Sequence, residues 1–404
     1  MQSTTIGMAV KLLVATVAAG SVIGAASAAE GTTRVIVKFK DGQVAASNKQ
    51  AAIAAAKGNI KHEIFGANAT AIEVPVSALQ GLRNNPHVEY VEEDQLRYPF
   101  ALSTPSTGNP YLSGQSVPYG IKQVQADLLP DTNVGNRRVC IIDSGVDRAH
   151  EDLVGNSANM TGVNDSGTGT WYTDQNSHGT HVAGTIAAVN NSGMGVVGVN
   201  SNKRIKLHIV KVFGAGGWAY SSTLASAANQ CAQYGANVIS MSLGGSGSTT
   251  TESTTFSNLA AQGILSIAAA GNAGNTSMSY PAGYSGVMSV GAIDEFKQWA
   301  SFSQYNSKVE ITGPGVAVMS TVPLAVKGVK YANFNGTSMS TPHVAGVAAL
   351  VWSYFPTCTG NQIRTSLTKS AQDLGPTGRD TKFGFGLVQA RTAYDRIRTY
   401  GCGV

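Results

Sequence analysis

Three short stretches of the chain carry residue types that together can break an acyl bond. They are Asp143 in RRVCIIDSGVD, His178 in NSHGTHVAGT and Ser338 in FNGTSMSTPHVAG. In chain order they offer an acid, a base and a nucleophile. Acyl transfer by a serine needs a base to take the hydroxyl proton and a buried carboxylate to orient and stabilise that base. Ser338 falls where Gly-Thr meets a helix start, so a helix N-terminus would face the developing negative charge. Pro342 fits the first turn of such a helix, where a missing N–H does little harm. Asp147 competes with Asp143 for the orienting role. Asp143 ends an apolar run that reads as a buried strand, and a buried carboxylate is tolerated only when hydrogen-bonded, which a strand end provides. His178 and His181 are both candidate bases. Three residues apart on a helix they would also suit zinc, but the chain has no H-E-x-x-H and no third ligand at metal-like spacing.

The elements that must position these residues read as α/β. VCIID, IKLHIVKVF, NVISMSL, ILSIAAAGN, VMSVGAI and VEITGPG are short apolar runs without alternation, the pattern of fully buried parallel strands. Helix-like stretches lie between several of them: GTHVAGTIAAV, SSTLASAANQCAQYG, TTFSNLAAQG and SMSTPHVAGVAALVWSYF. Strands alternating with helices predict a doubly wound parallel sheet with its chemistry at the carboxyl ends of the strands, which is where Asp143 falls. SANMTGVNDSGTGTWYTDQNS reads as a loop rich in Asp and Asn.

Residues 29–100 have a separate logic. RVIVKF alternates like a strand, ASNKQAAIAAAKG has helix composition, and HEIFGANATAIEVP reads as a hairpin around Gly-Ala-Asn. VSALQGLRNNP is a short helix closed by Asn-Pro, and VEYVEED a last strand. The order β-α-β-β-α-β predicts a small ferredoxin-like α+β sandwich. Residues 101–114, rich in Ser, Thr, Pro and Gly, read as a loop.

Residues 1–28 read as a secretory signal. Lys11 precedes the apolar run LLVATVAAGSVIGA, and Ala26-Ser27-Ala28 offers small residues to a signal peptidase. A run of about 14 residues falls short of the ~20 that a spanning helix needs. With 404 residues, 47 of them Gly, and 43% apolar content, the rest is long enough for a small domain and a large one. The net charge of +5 is spread without basic runs, which argues against a nucleic-acid partner.

The motif GTSMSTPHVAG closely resembles the nucleophile motif of the subtilisin-like serine proteases, and the order Asp…His…Ser is the one that group is recognised by. The resemblance extends over nearly the whole chain. It implies a secreted endopeptidase with Asp143 as the orienting acid, His178 as general base, His181 as a structural neighbour and Ser338 as nucleophile. Asn272 in AAAGNAGN resembles the oxyanion-hole Asn, with the Ser338 N–H as its companion. Substrate is expected to add as a β-strand between Ser242-Leu243-Gly244-Gly245 and Gly216-Gly217-Trp218, where glycines permit close approach of a foreign backbone. The first specificity pocket would be walled by Ala269-Ala270-Gly271, with Ser279 near its floor. No acidic residue is evident there, so a bulky apolar residue before the scissile bond is expected.

Residues 29–100 resemble the propeptide of such enzymes, a folding chaperone and intramolecular inhibitor. Cleavage is expected after Phe100 in QLRYPF, leaving a peptidase domain at 101–404; Arg97 stands out as unusual three positions upstream. The stretch AAVNNSGMGVVGV resembles the loop that wraps a structural calcium ion. The match gives side chains of Gln115, Asp152 and Asn191 and carbonyls of Val189, Met194 and Val196, with one residue inserted around Gly193. A Cys358–Cys402 bridge would tie down the C-terminus, as in secreted relatives, while Cys140 and Cys231 either pair or stay as buried thiols. The protein is expected to act as a monomer on protein and peptide substrates, with no membrane attachment after signal removal. The rivals are a catalytically silent binding homologue, which the intact Asp143, His178, Ser338 and Asn272 disfavour, and an esterase. Ser340 stands where the second Gly of the G-x-S-x-G esterase elbow would be.

Overall fold

The computed structural model describes residues 31–42, 44–100, 115–191 and 193–404. The expected signal segment and the loop 101–114 lie outside the described residues.

The small domain comprises β1 (Thr32–Phe39), α1 (Ala46–Ala55), β2 (Asn59–Ile64), β3 (Ala69–Pro75), α2 (Leu79–Arg83) and β4 (Val88–Glu93). Its antiparallel sheet runs β2-β3-β1-β4, the order of the ferredoxin-like sandwich. The alternation of RVIVKF explains how it is covered. Val35, Val37 and Phe39 join Ile53, Ile72, Val74 and Leu82 in one core, whereas Ile36 packs with Ile64 and with Ala225 of the large domain. A strand that buries both faces needs a partner on each. Here one partner is the small domain's own helices and the other is the large domain.

The chain continues through β5 (Leu96–Pro99), β6 (Arg138–Asp143), β7 (Met160–Asn164), α3 (His178–Ala187), β8 (Lys206–Lys211), β9 (Ala219–Tyr220), α4 (Ser221–Gln233), β10 (Val238–Met241), β11 (Leu243–Gly244) and α5 (Thr250–Ala261). After these come β12 (Leu265–Ala269), β13 (Val287–Ile293), β14 (Val309–Pro314), α6 (Thr337–Tyr354), α7 (Gly360–Lys369) and α8 (Ala390–Tyr400). Seven strands pair in parallel in the order β14-β13-β12-β10-β6-β8-β7. Strand β6 shows why its sequence lacks alternation. Val139 and Ile141 pack into the core that holds α3 and α6, Cys140 and Ile142 into the core that holds α4. Both faces are apolar because both are covered.

One sequence expectation needs correction. The Asp- and Asn-rich stretch is not loop throughout, because Met160–Asn164 adds to the sheet edge beside β8. An edge strand needs little apolar content, and only Met160 of the five is buried. The chain also ends in two helices that the apolar pattern did not reveal. Helix α7 opens with a capping box of Thr359 and Gln362, and α8 buries only Ala390, Ala393 and Ile397. Both cysteine pairs are joined: Cys358–Cys402 as expected, and Cys140–Cys231, which ties β6 to α4.

Candidate active site

Asp143 closes β6 at the carboxyl edge of the sheet, and His178 opens α3. The His178 Nδ1 lies 2.8 and 2.9 Å from the two Asp143 oxygens, with both side chains buried. Asp143 also accepts from the Ser144 N–H at 2.7 Å. Close approach of the two segments requires Gly179, since a Cβ there would stand 2.1 Å from the Gly145 carbonyl oxygen. The turn that aims His178 is held by an acid the sequence reading missed. Buried Asp174 accepts from the N–H groups of Asn176, Ser177 and Thr180 and from the hydroxyls of Ser144 and Thr180. Burial pushes its carboxyl above the ordinary value, and these bonds offset that rise only in part.

Ser338 sits in the first turn of α6. Its hydroxyl donates to the Ser242 carbonyl at 2.8 Å, and the Ser242 hydroxyl returns a bond to the Ser338 carbonyl, also at 2.8 Å. His178 Nε2 is buried and has no hydrogen-bond partner among the described residues. Asn272 follows β12, and its side chain is clamped: Oδ1 accepts from the N–H and hydroxyl of Thr337 at 2.9 and 2.8 Å. That leaves Nδ2 as an oriented donor, and it donates to the Phe100 carbonyl at 2.7 Å. A donor fixed before charge develops needs no reorganisation during reaction. Thr337, the residue that fixes it, carries no sequence signal beyond its place before Ser338.

The strand that follows the small domain fills a groove beside these residues. β5 is the middle strand of a three-stranded antiparallel sheet, between β11 and β9. Leu243 and Gly244 pair with Pro99 and Tyr98, and the Phe100 N–H donates to the Ser242 carbonyl at 3.1 Å. A Cβ on Gly244 would lie 2.5 Å from the Phe100 ring, so glycine is needed there. Gly245 bonds to Tyr280, next to Ser279. Ala269 and Ala270 are buried where β12 runs out, and Gly271 takes φ +111° with no room for a Cβ against Gln304. On the other side the ladder is made by Ala219 and Tyr220 with Arg97 and Leu96. Gly216, Gly217 and Trp218, expected as that wall, lie immediately before the paired residues and line an adjoining cleft with Arg34 and His62 of the small domain.

Charged anchors hold the small domain in place. Glu92 accepts from the N–H groups of Thr250 and Thr251 at the start of α5, and Asp94 from that of Ser222 at the start of α4. Each carboxylate meets the positive end of a helix. Arg97, the unusual residue of the expected cleavage segment, is fully buried against the equally buried Glu252. Burial works against both charges: it drives the Glu252 carboxyl up, and the Arg97 guanidinium offsets this only in part, while Glu252 holds that guanidinium above its ordinary value.

The residues matched to a calcium loop also converge. The Gln115 amide nitrogen lies 3.0 Å from the Val189 carbonyl, 3.4 Å from Asn191 Oδ1 and 3.5 Å from the Val196 carbonyl. Asp152 accepts from Asn191 Nδ2 at 2.8 Å and from the Val196 N–H at 2.7 Å. The Met194 N–H donates to Asn191 Oδ1. No group of three or more His, Cys, Asp or Glu side chains at metal-binding distance occurs among the described residues. The His181 Nε2 is shared between the carbonyls of Val318 and Ala332, at 2.9 and 3.1 Å.

Residues 136–386 match the model of the subtilase family, and residues 25–94 that of the fervidolysin N-terminal prodomain. Subtilisin J of Geobacillus stearothermophilus is 37% identical over 92% of this chain and 93% of its own length. Subtilisin E of Bacillus subtilis (strain 168) is 38% identical over 89% and 90%. Among solved structures, the psychrophilic subtilisin-like protease Apa1 from the Antarctic psychrotroph Pseudoalteromonas sp. AS-11 gives a TM-score of 0.68 at 36% identity, covering 72% of this chain and 100% of that one. Fervidolysin from Fervidobacterium pennivorans, a keratinolytic enzyme related to subtilisin, gives 0.74 at 28% identity over 91% of this chain and 61% of that one. The chain belongs to the subtilase family and is a subtilisin-like serine endopeptidase with an N-terminal prodomain.

Proposed function

We propose that the protein is a secreted, self-processing zymogen whose Asp143-His178-Ser338 triad hydrolyses peptide bonds after bulky apolar residues. Residues 1–28 direct export, 29–100 act as chaperone and inhibitor, and 101–404 form the peptidase. One observation carries the reading. The carbonyl of Phe100 accepts from Asn272, and the carbonyl that takes the Phe100 N–H also takes the hydroxyl of Ser338.

In this reading the Ser338 hydroxyl leaves the Ser242 carbonyl, gives its proton to His178 Nε2 and attacks the carbonyl carbon of the residue seated at Phe100. Asn272 Nδ2 and the Ser338 N–H hold the oxyanion. His178 then protonates the leaving amine, and water releases the acyl group. Asp143 keeps the imidazole in the productive tautomer. The prodomain stays bound after cleavage because Glu92, Asp94 and Arg97 hold it independently of the cut bond. Export fits the two disulfides and the described helices, none of which is long and apolar enough to cross a membrane. The enzyme acts as a monomer on extended segments of protein substrates.

The oxygens gathered around Gln115, Asp152, Val189, Asn191 and Val196 suit a hard cation. With its amide turned over, Gln115 would present oxygen in place of nitrogen, and Met194 would add a carbonyl. Calcium held there would fasten the segment before α3 to the loop after it. Chelation by EDTA is expected to lower the unfolding temperature; an unchanged value would remove the ion from the account.

The direct test follows the precursor as wild type and as Ser338→Ala by mass and N-terminal sequencing. Wild type is expected to gain a new N-terminus at Ala101 while the variant stays uncut. A mature N-terminus before residue 90, or equal processing of both, would overturn the assignment.

A further inference from the structure

The Arg97 guanidinium is saturated. Nε and Nη2 donate to the two oxygens of Glu252 at 3.0 and 2.6 Å, Nη2 also to the Gly247 carbonyl at 3.0 Å, and Nη1 to the carbonyls of Leu96 and Ser246 at 2.8 and 3.4 Å. Five N–H groups meet five acceptors, and both charged side chains have no exposed surface. Ser246, Gly247, Glu252 and Tyr284, whose hydroxyl donates to Glu252 at 2.8 Å, all belong to the large domain. They remain when the prodomain leaves. What remains is the Glu252 carboxylate and two backbone carbonyls at the start of α5, next to the groove wall β11 and buried for as long as Arg97 covers them. Arg97 is the fourth residue back from the bond after Phe100, and it is held in the ladder by β9.

We propose that Glu252 makes this an arginine pocket, so that the processed enzyme selects peptides of the pattern Arg-x-x-Phe, cut after the Phe. The inference rests on the reading that the bond after Phe100 is the one hydrolysed. An apolar side chain in the pocket would cover the carboxylate without pairing it, and an unpaired buried charge is more costly than a paired one. The fork geometry also separates Arg from Lys, because an ammonium has three donors at a single point and cannot meet both carboxylate oxygens and the Gly247 and Ser246 carbonyls together. The prodomain thus carries in Arg97-Tyr98-Pro99-Phe100 a copy of the enzyme's preferred sequence, and its residence in the groove draws on the same selectivity.

The test is a series of peptides Xaa-Tyr-Pro-Phe-Ala-Ser with Xaa as Arg, Lys, Leu, Ala or Glu, hydrolysed by the enzyme processed from the full chain. The cut position is read by mass spectrometry and kcat/KM is compared within the series. The Arg peptide is expected to exceed Ala, Leu and Lys by about 10- to 100-fold, the range of a charge-assisted hydrogen-bonded contact, with Glu the poorest. In Glu252→Gln the Arg-to-Ala ratio within the same enzyme is expected to fall towards one, a ratio that general damage to the fold does not move. Wild-type values for Arg and Ala within about twofold, with cutting still after Phe, would overturn the arginine pocket alone. Cutting elsewhere, or casein hydrolysis without cutting after Phe, would overturn the cleavage reading and this inference with it.

Discussion

His178 and His181 occupy successive turns of one helix, and both are buried. One faces the Asp143 carboxylate; the other shares its Nε2 between two backbone carbonyls and stacks on Phe334 with ring centroids 4.4 Å apart. Burial without a compensating acid pushes the His181 pKa down to about 3. The same side chain is therefore a prospective proton carrier at one position and a neutral strut three residues later. Residue type does not distinguish them; the partner does.

The comparison can be broken by exchanging losses. His178→Ala, matured by wild-type enzyme in trans, is expected to lose about 10⁶-fold in kcat, the magnitude known for removing a triad histidine from a subtilisin. His181→Gln keeps an N–H for the two carbonyls and should lose far less; similar losses in both would end the distinction. A smaller effect isolates the acid. Asp143→Asn is expected to lower kcat about 10⁴-fold near neutral pH, as the same change does in a trypsin-type triad, because the amide favours the wrong tautomer. Circular dichroism superposable on wild type would show that orientation, not folding, was lost.

The smallest expected effect concerns stability. A histidine whose folded pKa is depressed binds its proton more readily when unfolded, so its contribution is complete above about 6.5 and is lost as pH falls towards the folded value. With His181 at about 3, that loss reaches up to about 5 kcal/mol by pH 3. His208 and His343, each lowered to about 4 by burial, add to the slope. Urea unfolding of Ser338→Ala, which avoids self-digestion, should weaken from pH 7 to 4. His181→Gln in that background should flatten the dependence; an unaltered slope would show that His181 does not carry it.

Legibility in the sequence varied with the range of the interaction. Strands β6, β8, β10, β12, β13 and β14 were readable because burial on both faces leaves an uninterrupted apolar run. The small domain was readable because two-residue and helical periods alternate cleanly there. The edge strand Met160–Asn164 and helices α7 and α8 were not, since one-sided or edge burial leaves few apolar positions. At the site, Asp143, His178, Ser338 and Asn272 stand in motifs that mark them. Asp174, Thr337 and Glu252 do not, because each acts through groups that folding alone delivers.

By itself the sequence determined the chemistry on offer and the layered α/β frame, since local pattern fixes which runs are buried and which residue types end them. Tertiary structure decided the partners. It joined Cys140 to Cys231 across 91 residues, turned Ser338 towards the Ser242 carbonyl and moved the groove ladder to Ala219 and Tyr220. It also gave Arg97 its acid from 155 positions away. A buried charge is tolerable only where a counter-charge and hydrogen bonds converge on it. That convergence is a property of the folded chain, which no window of sequence contains.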